Sequence, residues 1–219
     1  MISSGLSIGE VFRESLDLYK SNPSIIIPSL LPGLWVFIAP FVGLAGPMAL
    51  FSVGALGAGV ATLMVGMAVF FLIYFILFIL AEGMTVEMIE EVYSGRSASL
   101  GSALEAVLEK IGPLVIASIL VATLFSIGYV IFILPGLILT FLLWFVPQAI
   151  MLEDEGAVGS LKRSFEFVRD NAGDALIIVL VSIGLHVVLS VIPFIGWILL
   201  LVTMPYFIGL TTLLYIERI

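Results

Sequence analysis

Long neutral stretches alternate with short charged clusters along this chain. No Asp, Glu, Lys or Arg occurs in the 61 residues from Ser21 to Ala81, in the 42 from Ile111 to Leu152, or in the 42 from Ala175 to Ile216. A helix needs about 20 predominantly apolar residues to cross a hydrocarbon core about 30 Å thick. Each stretch is therefore read as two crossings and the turn between them. The pattern predicts an all-α polytopic integral membrane protein. Its six transmembrane helices form three hairpins in a single membrane domain over residues 1–219, with every charge on one side of the bilayer.

Proline and glycine locate the turns, because both are poor in helix interiors. Pro40, Gly43, Gly46 and Pro47 separate a span near 24–44 from one near 51–80. The run from Gly128 to Gly136, with Pro135, separates 113–132 from 136–152. Pro193 and Gly196 separate 174–192 from 196–216. Pro28, Pro32, Pro147 and Pro205 fall inside or near the ends of spans, where they kink or interrupt a helix.

A unit of charged helix, span, turn and returning span recurs three times, over about 7–95, 99–156 and 157–219. Between the second and third units an offset of 58 residues maps Gly101 onto Gly159, Ser102 onto Ser160, Pro135 onto Pro193 and Pro147 onto Pro205. The first unit matches the third near its start, where Arg13–Asn22 reads beside Lys162–Asn171. Each unit crosses an even number of times, so the copies share one orientation. They are parallel pseudo-repeats about an axis along the membrane normal, with pseudo-threefold packing as the expected arrangement.

Each unit opens with apolar residues at amphipathic-helix spacing. These are Ile8, Val11, Phe12 and Tyr19; Leu100, Ala103, Leu104, Val107, Leu108 and Ile111; and Val158, Leu161, Phe165 and Val168. Such helices lie at the membrane–water boundary, apolar face down, or wedge between neighbouring spans. A further charged segment, Glu82 to Arg96, continues the second span into the cytoplasm. Its Glu82, Glu87, Glu90 and Glu91 read as a solvated helix face rather than a metal site, which would want ligands fixed in a turn.

Composition agrees with lipid as the main solvent: 62% of residues are hydrophobic and 11% charged, against roughly 45–50% apolar in soluble domains. All 8 Lys and Arg lie in the charged clusters, so the positive-inside rule puts both termini and the long connections in the cytoplasm of a cell-membrane protein. The 16 acidic residues share that side and bring the net charge to −8. An acidic face argues against nucleic acid or a polybasic lipid-binding surface. Residues 1–20 carry Glu10, Arg13, Glu14, Asp17 and Lys20 without a continuous apolar run, so they do not read as a cleaved signal.

Candidate chemistry is sparse. His186 is the one ionisable group expected at membrane depth, with no Asp or Glu at comparable depth to pair with it. It reads as a structural hydrogen-bonding residue, with a proton or substrate role as the alternative. Gln148, near the cytoplasmic end of the fourth span, reads as an interhelical hydrogen bond before a ligand. Ala55, Gly57, Gly59, Ala61, Thr62 and Gly66 form small-xxx-small pairs, a face for close helix contact within the chain or with another subunit or membrane protein. The chain has no Cys, and no P-loop, dinucleotide fingerprint or HExxH motif. No catalytic, cofactor-binding or metal-binding residue is assigned, and the chain is not expected to be an enzyme.

The segment Leu134–Gln148 with its Pro-Gly turn, the acidic Glu153-Asp-Glu-Gly156, and the helix Gly159–Asn171 with its S-L-x-x-S-x-x-x-V-x-x-N pattern resemble a group of poorly characterised prokaryotic membrane proteins. The group includes the membrane domain beside some glycerophosphodiester phosphodiesterases and related stand-alone six-span proteins. The likeness is clearest over 113–216. It implies a helical membrane domain without phosphodiesterase activity, and no functional residue transfers.

Two functions fit these features. The first is a non-enzymatic scaffold, assembly or envelope-maintenance module whose partners are the lipid bilayer and other membrane helices. The second is a transporter or channel for a small uncharged or hydrophobic solute. A continuous polar cavity reaching His186 would favour the second, and a dry core the first.

Overall fold

A computed structural model describes residues 6–192 and 195–219, the side chains of Val42 and Trp197 apart. Among the described residues the chain is 88% helical and has no strand. The helices are α1 (Ile8–Ser21), α2 (Ile27–Gly43, entered through a 3-10 turn at Pro23–Ile26), α3 (Ala45–Ser52), α4 (Leu56–Tyr93) and α5 (Leu100–Glu109). They continue with α6 (Ile111–Ile131), α7 (Ile133–Leu142), α8 (Val146–Glu153), α9 (Ala157–Asp170), α10 (Ala172–Ser190) and α11 (Ile195–Arg218).

Six segments are long and apolar enough to cross a membrane: Pro23–Ser52, Leu56–Tyr93, Ile111–Ile131, Ile133–Glu153, Ala172–Ser190 and Ile198–Arg218. Their outward surfaces are apolar, with Phe41 84% and Val130 87% exposed. Apolar exposure on this scale fits a lipid surround and not water.

The first reversal differs from the one the prolines predicted. The helix runs through Pro40 to Gly43, and Gly46 and Pro47 enter the first turn of α3. A missing N–H costs little there, because first-turn donors have no partner within the helix. The chain turns instead at Val53–Ala55, where Gly54 has φ +77°, a left-handed conformation that glycine adopts freely. The second span therefore starts at Leu56 rather than near 51, and runs unbroken into the charged segment as far as Tyr93.

The second reversal is tighter than a Gly128–Gly136 loop. A single extended residue, Phe132 (φ −170°, ψ 152°), joins α6 to α7. Gly128 and Gly136 instead let the two backbones touch: a Cβ on Gly128 would lie 3.0 Å from Gly136 Cα. In the third reversal Pro193 lies outside the described residues, and Gly196 sits in the first turn of α11.

Helix α2 packs along α4, α6 along α7, and α10 along α11. Helix α4 also touches α8 and α11, and these three returning segments bury their C-terminal halves against one another. Met88, Ile89, Ile150, Leu210, Leu213 and Leu214 are all nearly inaccessible. Each charged helix packs on a returning segment: α1 on α11, α5 on α4, and α9 on α8 and α6. Helix α9 buries Ser160, Ser164, Phe167 and Val168, while Val158 and Phe165 of the expected apolar face stay exposed.

Polar contacts tie this end together. Lys110 Nζ meets Asp154 at 2.5 Å and the carbonyl of Met151 at 2.6 Å. Arg163 Nε donates to both Glu153 oxygens at 2.8 Å, and Tyr215 OH donates to the same carboxylate. That hydrogen bonding holds the Arg163 guanidinium further above its already high range. Arg218 joins Asp174 at 3.0 Å and the carbonyl of Leu6 at 2.7 Å, so both ends of the described chain meet.

Candidate functional site

Two prolines shape the region above this charged end. Pro147 cannot donate a helical hydrogen bond, and the fourth span breaks at Leu143–Phe145 between α7 and α8. Ser164 of α9 fills the break: its Oγ accepts the N–H of Phe145 at 3.1 Å and donates to the carbonyl of Leu142 at 2.8 Å. Pro205 leaves α11 continuous but frees the carbonyl of Leu201, four residues back. Ser29 Oγ lies 2.9 Å from that carbonyl and 2.7 Å from the carbonyl of Ile26, sharing its one proton between them, and Tyr19 OH donates to the next carbonyl, Val202.

Between the broken fourth span and the proline-bent α11 lies a cavity of about 500 Å³. Its apolar wall includes Phe75, Phe78, Phe125, Trp144 and Phe207, and its polar groups include Glu82, Gln148, His186 and Thr211. Helices α6 and α10 flank it without packing closely on one another. A mainly apolar concavity with a few convergent polar groups is the usual form of a small-molecule site.

Gln148 is 2% exposed. Its Nε2 donates to Thr211 Oγ1 at 3.0 Å, the interhelical hydrogen bond its position predicted. Thr211 Oγ1 lies 2.9 Å from the carbonyl of Ile208 and 3.2 Å from that of Phe207, so its own proton is committed to the backbone and it can only accept from Gln148. This fixes the amide orientation and turns Oε1 away from Thr211. Gln148 Oε1 has no hydrogen-bond partner. A buried acceptor left unpaired costs about 1–3 kcal/mol.

His186 sits on the same wall, its ring 5.5 Å from that of Phe207. Glu82 of α4 lines the same cavity as His186. Among the described residues Glu82 makes no ion pair or side-chain hydrogen bond, and no Lys or Arg borders the cavity with it.

Glu90 and Glu91 of this segment are occupied by structure rather than left on one solvated face. Glu91 is 4% exposed; it accepts the N–H of Ser99 at 2.9 Å and the hydroxyl of Ser102 at 2.5 Å, securing the start of α5. Glu90 pairs with Arg96 and accepts from Ser94 at 2.6 Å. Among the described residues no three His, Asp or Glu side chains could hold a metal ion together.

The small-residue segment divides. Gly59 is buried against the ring of Phe51, Thr62 lies beside Gly46, and Gly66 faces the carbonyl of Gly43, so these serve contacts of α4 with α2 and α3. Gly57 and Ala61 are exposed, and Ala55 is half-buried.

These features define a helical membrane-embedded protein with a mainly apolar cavity between its spans. The chain belongs to the DUF7847 family, a domain of unknown function whose model matches residues 6–216. No curated protein and no solved structure matches the chain. Nothing in these comparisons links it to the membrane domain of the glycerophosphodiester phosphodiesterases.

Proposed function

We propose that this is a non-enzymatic multi-pass protein of the cell membrane that takes a small, mainly apolar solute into the cavity between α4, α6, α8, α10 and α11, the binding step a carrier requires. The observation that carries this reading is a cavity of roughly 500 Å³ between the spans, rich in aromatic rings and lined also by Glu82, Gln148 and His186. The cavity reaches His186, and its mainly apolar lining suits an apolar solute, so we prefer the solute reading to the scaffold.

The topology proposed with it has both termini and all charged connections in the cytoplasm, and three parallel hairpin repeats. The packing of α1 on α11, α5 on α4 and α9 on α8 supports a cyclic arrangement. In it, each charged helix seats on the returning span of the preceding unit. The serines that stitch both proline sites hold the cavity walls in place.

Equilibrium binding of phenylbutanol to the protein in zwitterionic nanodiscs, with empty nanodiscs subtracted, tests the reading. Saturable binding that is lost when Ser118→Phe narrows the cavity is expected. Binding no greater than that of empty nanodiscs would contradict it.

A further inference from the structure

Glu82 sets the charge the occupant should bring. This inference rests on the cavity being a solute site. A carboxylate placed among apolar side chains is costly unless a cation or several hydrogen-bond donors face it. None does so here from the protein: among the described residues Glu82 has no hydrogen-bond or ion-pair partner, and no Lys or Arg is among the cavity's lining residues. His186 lines the same cavity without a hydrogen bond to Glu82, and Gln148 turns its amide N–H towards Thr211.

The cavity thus offers one charged acceptor, the Glu82 carboxylate, and no Lys or Arg lines the cavity with it. The rings of Phe75, Phe78, Phe125 and Phe207 stand around the same space. Aromatic faces attract cations and also accept apolar groups. A negatively charged acceptor and aromatic walls together fit a head with N–H donors and a positive charge on an apolar body.

We propose that the cavity binds lipophilic primary amines in their protonated form. The ammonium group donates to Glu82, and the hydrocarbon or aromatic body lies against the phenylalanines. Glu82 supplies the selectivity for charge.

Three ligands with one apolar body and different heads test this in the intact protein: phenylbutylammonium, phenylbutanol and phenylbutyrate, at neutral pH in zwitterionic nanodiscs with empty nanodiscs subtracted. The ammonium should bind about tenfold or more tightly than the alcohol, as expected for a hydrogen bond to a charged group, and the carboxylate weakest. Glu82→Gln should remove the preference for the ammonium and leave the alcohol within about twofold of wild type, because only the charge has changed. Equal binding of ammonium and alcohol by the wild type overturns the amine assignment and leaves the solute site standing. A preference that survives in Glu82→Gln also overturns it. Absence of binding by all three overturns the assignment together with the solute site itself. The wild-type series needs no variant, so the comparison decides even if Glu82→Gln does not fold.

Discussion

The hydroxyl of Ser164 accepts the backbone N–H of Phe145 at 3.1 Å, across the break between α7 and α8. The same hydroxyl returns its proton to the carbonyl of Leu142. A side chain on a charged helix thereby completes the backbone of a span that Pro147 interrupts. Ser164→Ala leaves that N–H buried without an acceptor, at a cost of about 1–3 kcal/mol. Unfolding in mixed micelles should show the loss, and a variant as stable as wild type would remove Ser164 from this role.

The close approach of α6 and α7 makes the second prediction. An added methyl at Gly128 meets Leu139 Cδ1 at 2.9 Å, which can swing away, and the Gly136 backbone at 3.0 Å, which cannot. Gly128→Ala should destabilise the protein by about 1–3 kcal/mol, the range for overpacking. The same unfolding measurement checks it, with Gly43→Ala as the control, where nothing lies within 4 Å of the added atom.

Gln148 should behave unlike Ser164. Removing its side chain breaks one hydrogen bond but also removes an acceptor that has no partner, and Thr211 keeps its bonds to the backbone. Gln148→Leu should change the stability of the ligand-free protein by less than about 1.5 kcal/mol. A loss comparable to that of Ser164→Ala would mean that Gln148 is needed for the fold.

The start of α1 gives a pH-dependent prediction. Ser7 donates its hydroxyl and its backbone N–H to Glu10 Oε2, each at 2.7 Å. These bonds hold the Glu10 carboxyl below its ordinary value of 4.5, the side-chain bond being the larger cause. A depressed value means the stabilisation is complete above 4.5 and is lost as pH falls through the folded value. Protection of the amides at the start of α1, with exchange corrected for its intrinsic pH dependence, should therefore fall on acidification through this window. In Ser7→Ala, which removes the larger of the two bonds, that dependence should be much reduced. Exchange that keeps its full acid dependence in Ser7→Ala would contradict the assignment.

Much of the fold was legible in the spacing of charges, because an ionic group is too costly in lipid to be placed loosely. Three neutral stretches therefore marked six apolar helices, and the continuation of α4 past Glu82 followed from its helical pattern. The helix α3 was not legible, since Gly46 and Pro47 signal a turn until their place in a helix's first turn is known. Ser164 was visible as a motif residue, but its role depends on a break nineteen residues earlier in the chain. Gln148 was placed by its position near the end of a span. Glu82 was read as a solvated charge because sequence shows depth along one helix and not which cavity that helix borders. A single acidic residue at the edge of a neutral stretch, with no basic residue at helical spacing, was the signal that could have found it.

The account rests on lipid taking the neutral stretches in pairs and leaving all charged segments on one side. Since the chain has no Cys, single cysteines can be introduced and tested with a membrane-impermeant maleimide on intact cells. Cysteines at Val53, Phe132 and Val191, in the three reversals, should react from outside. Cysteines at Ser94, Glu155 and Glu14 should react only after the membrane is opened. Labelling of any of the latter three on intact cells, or failure of the three reversals to share one exposure, would contradict it.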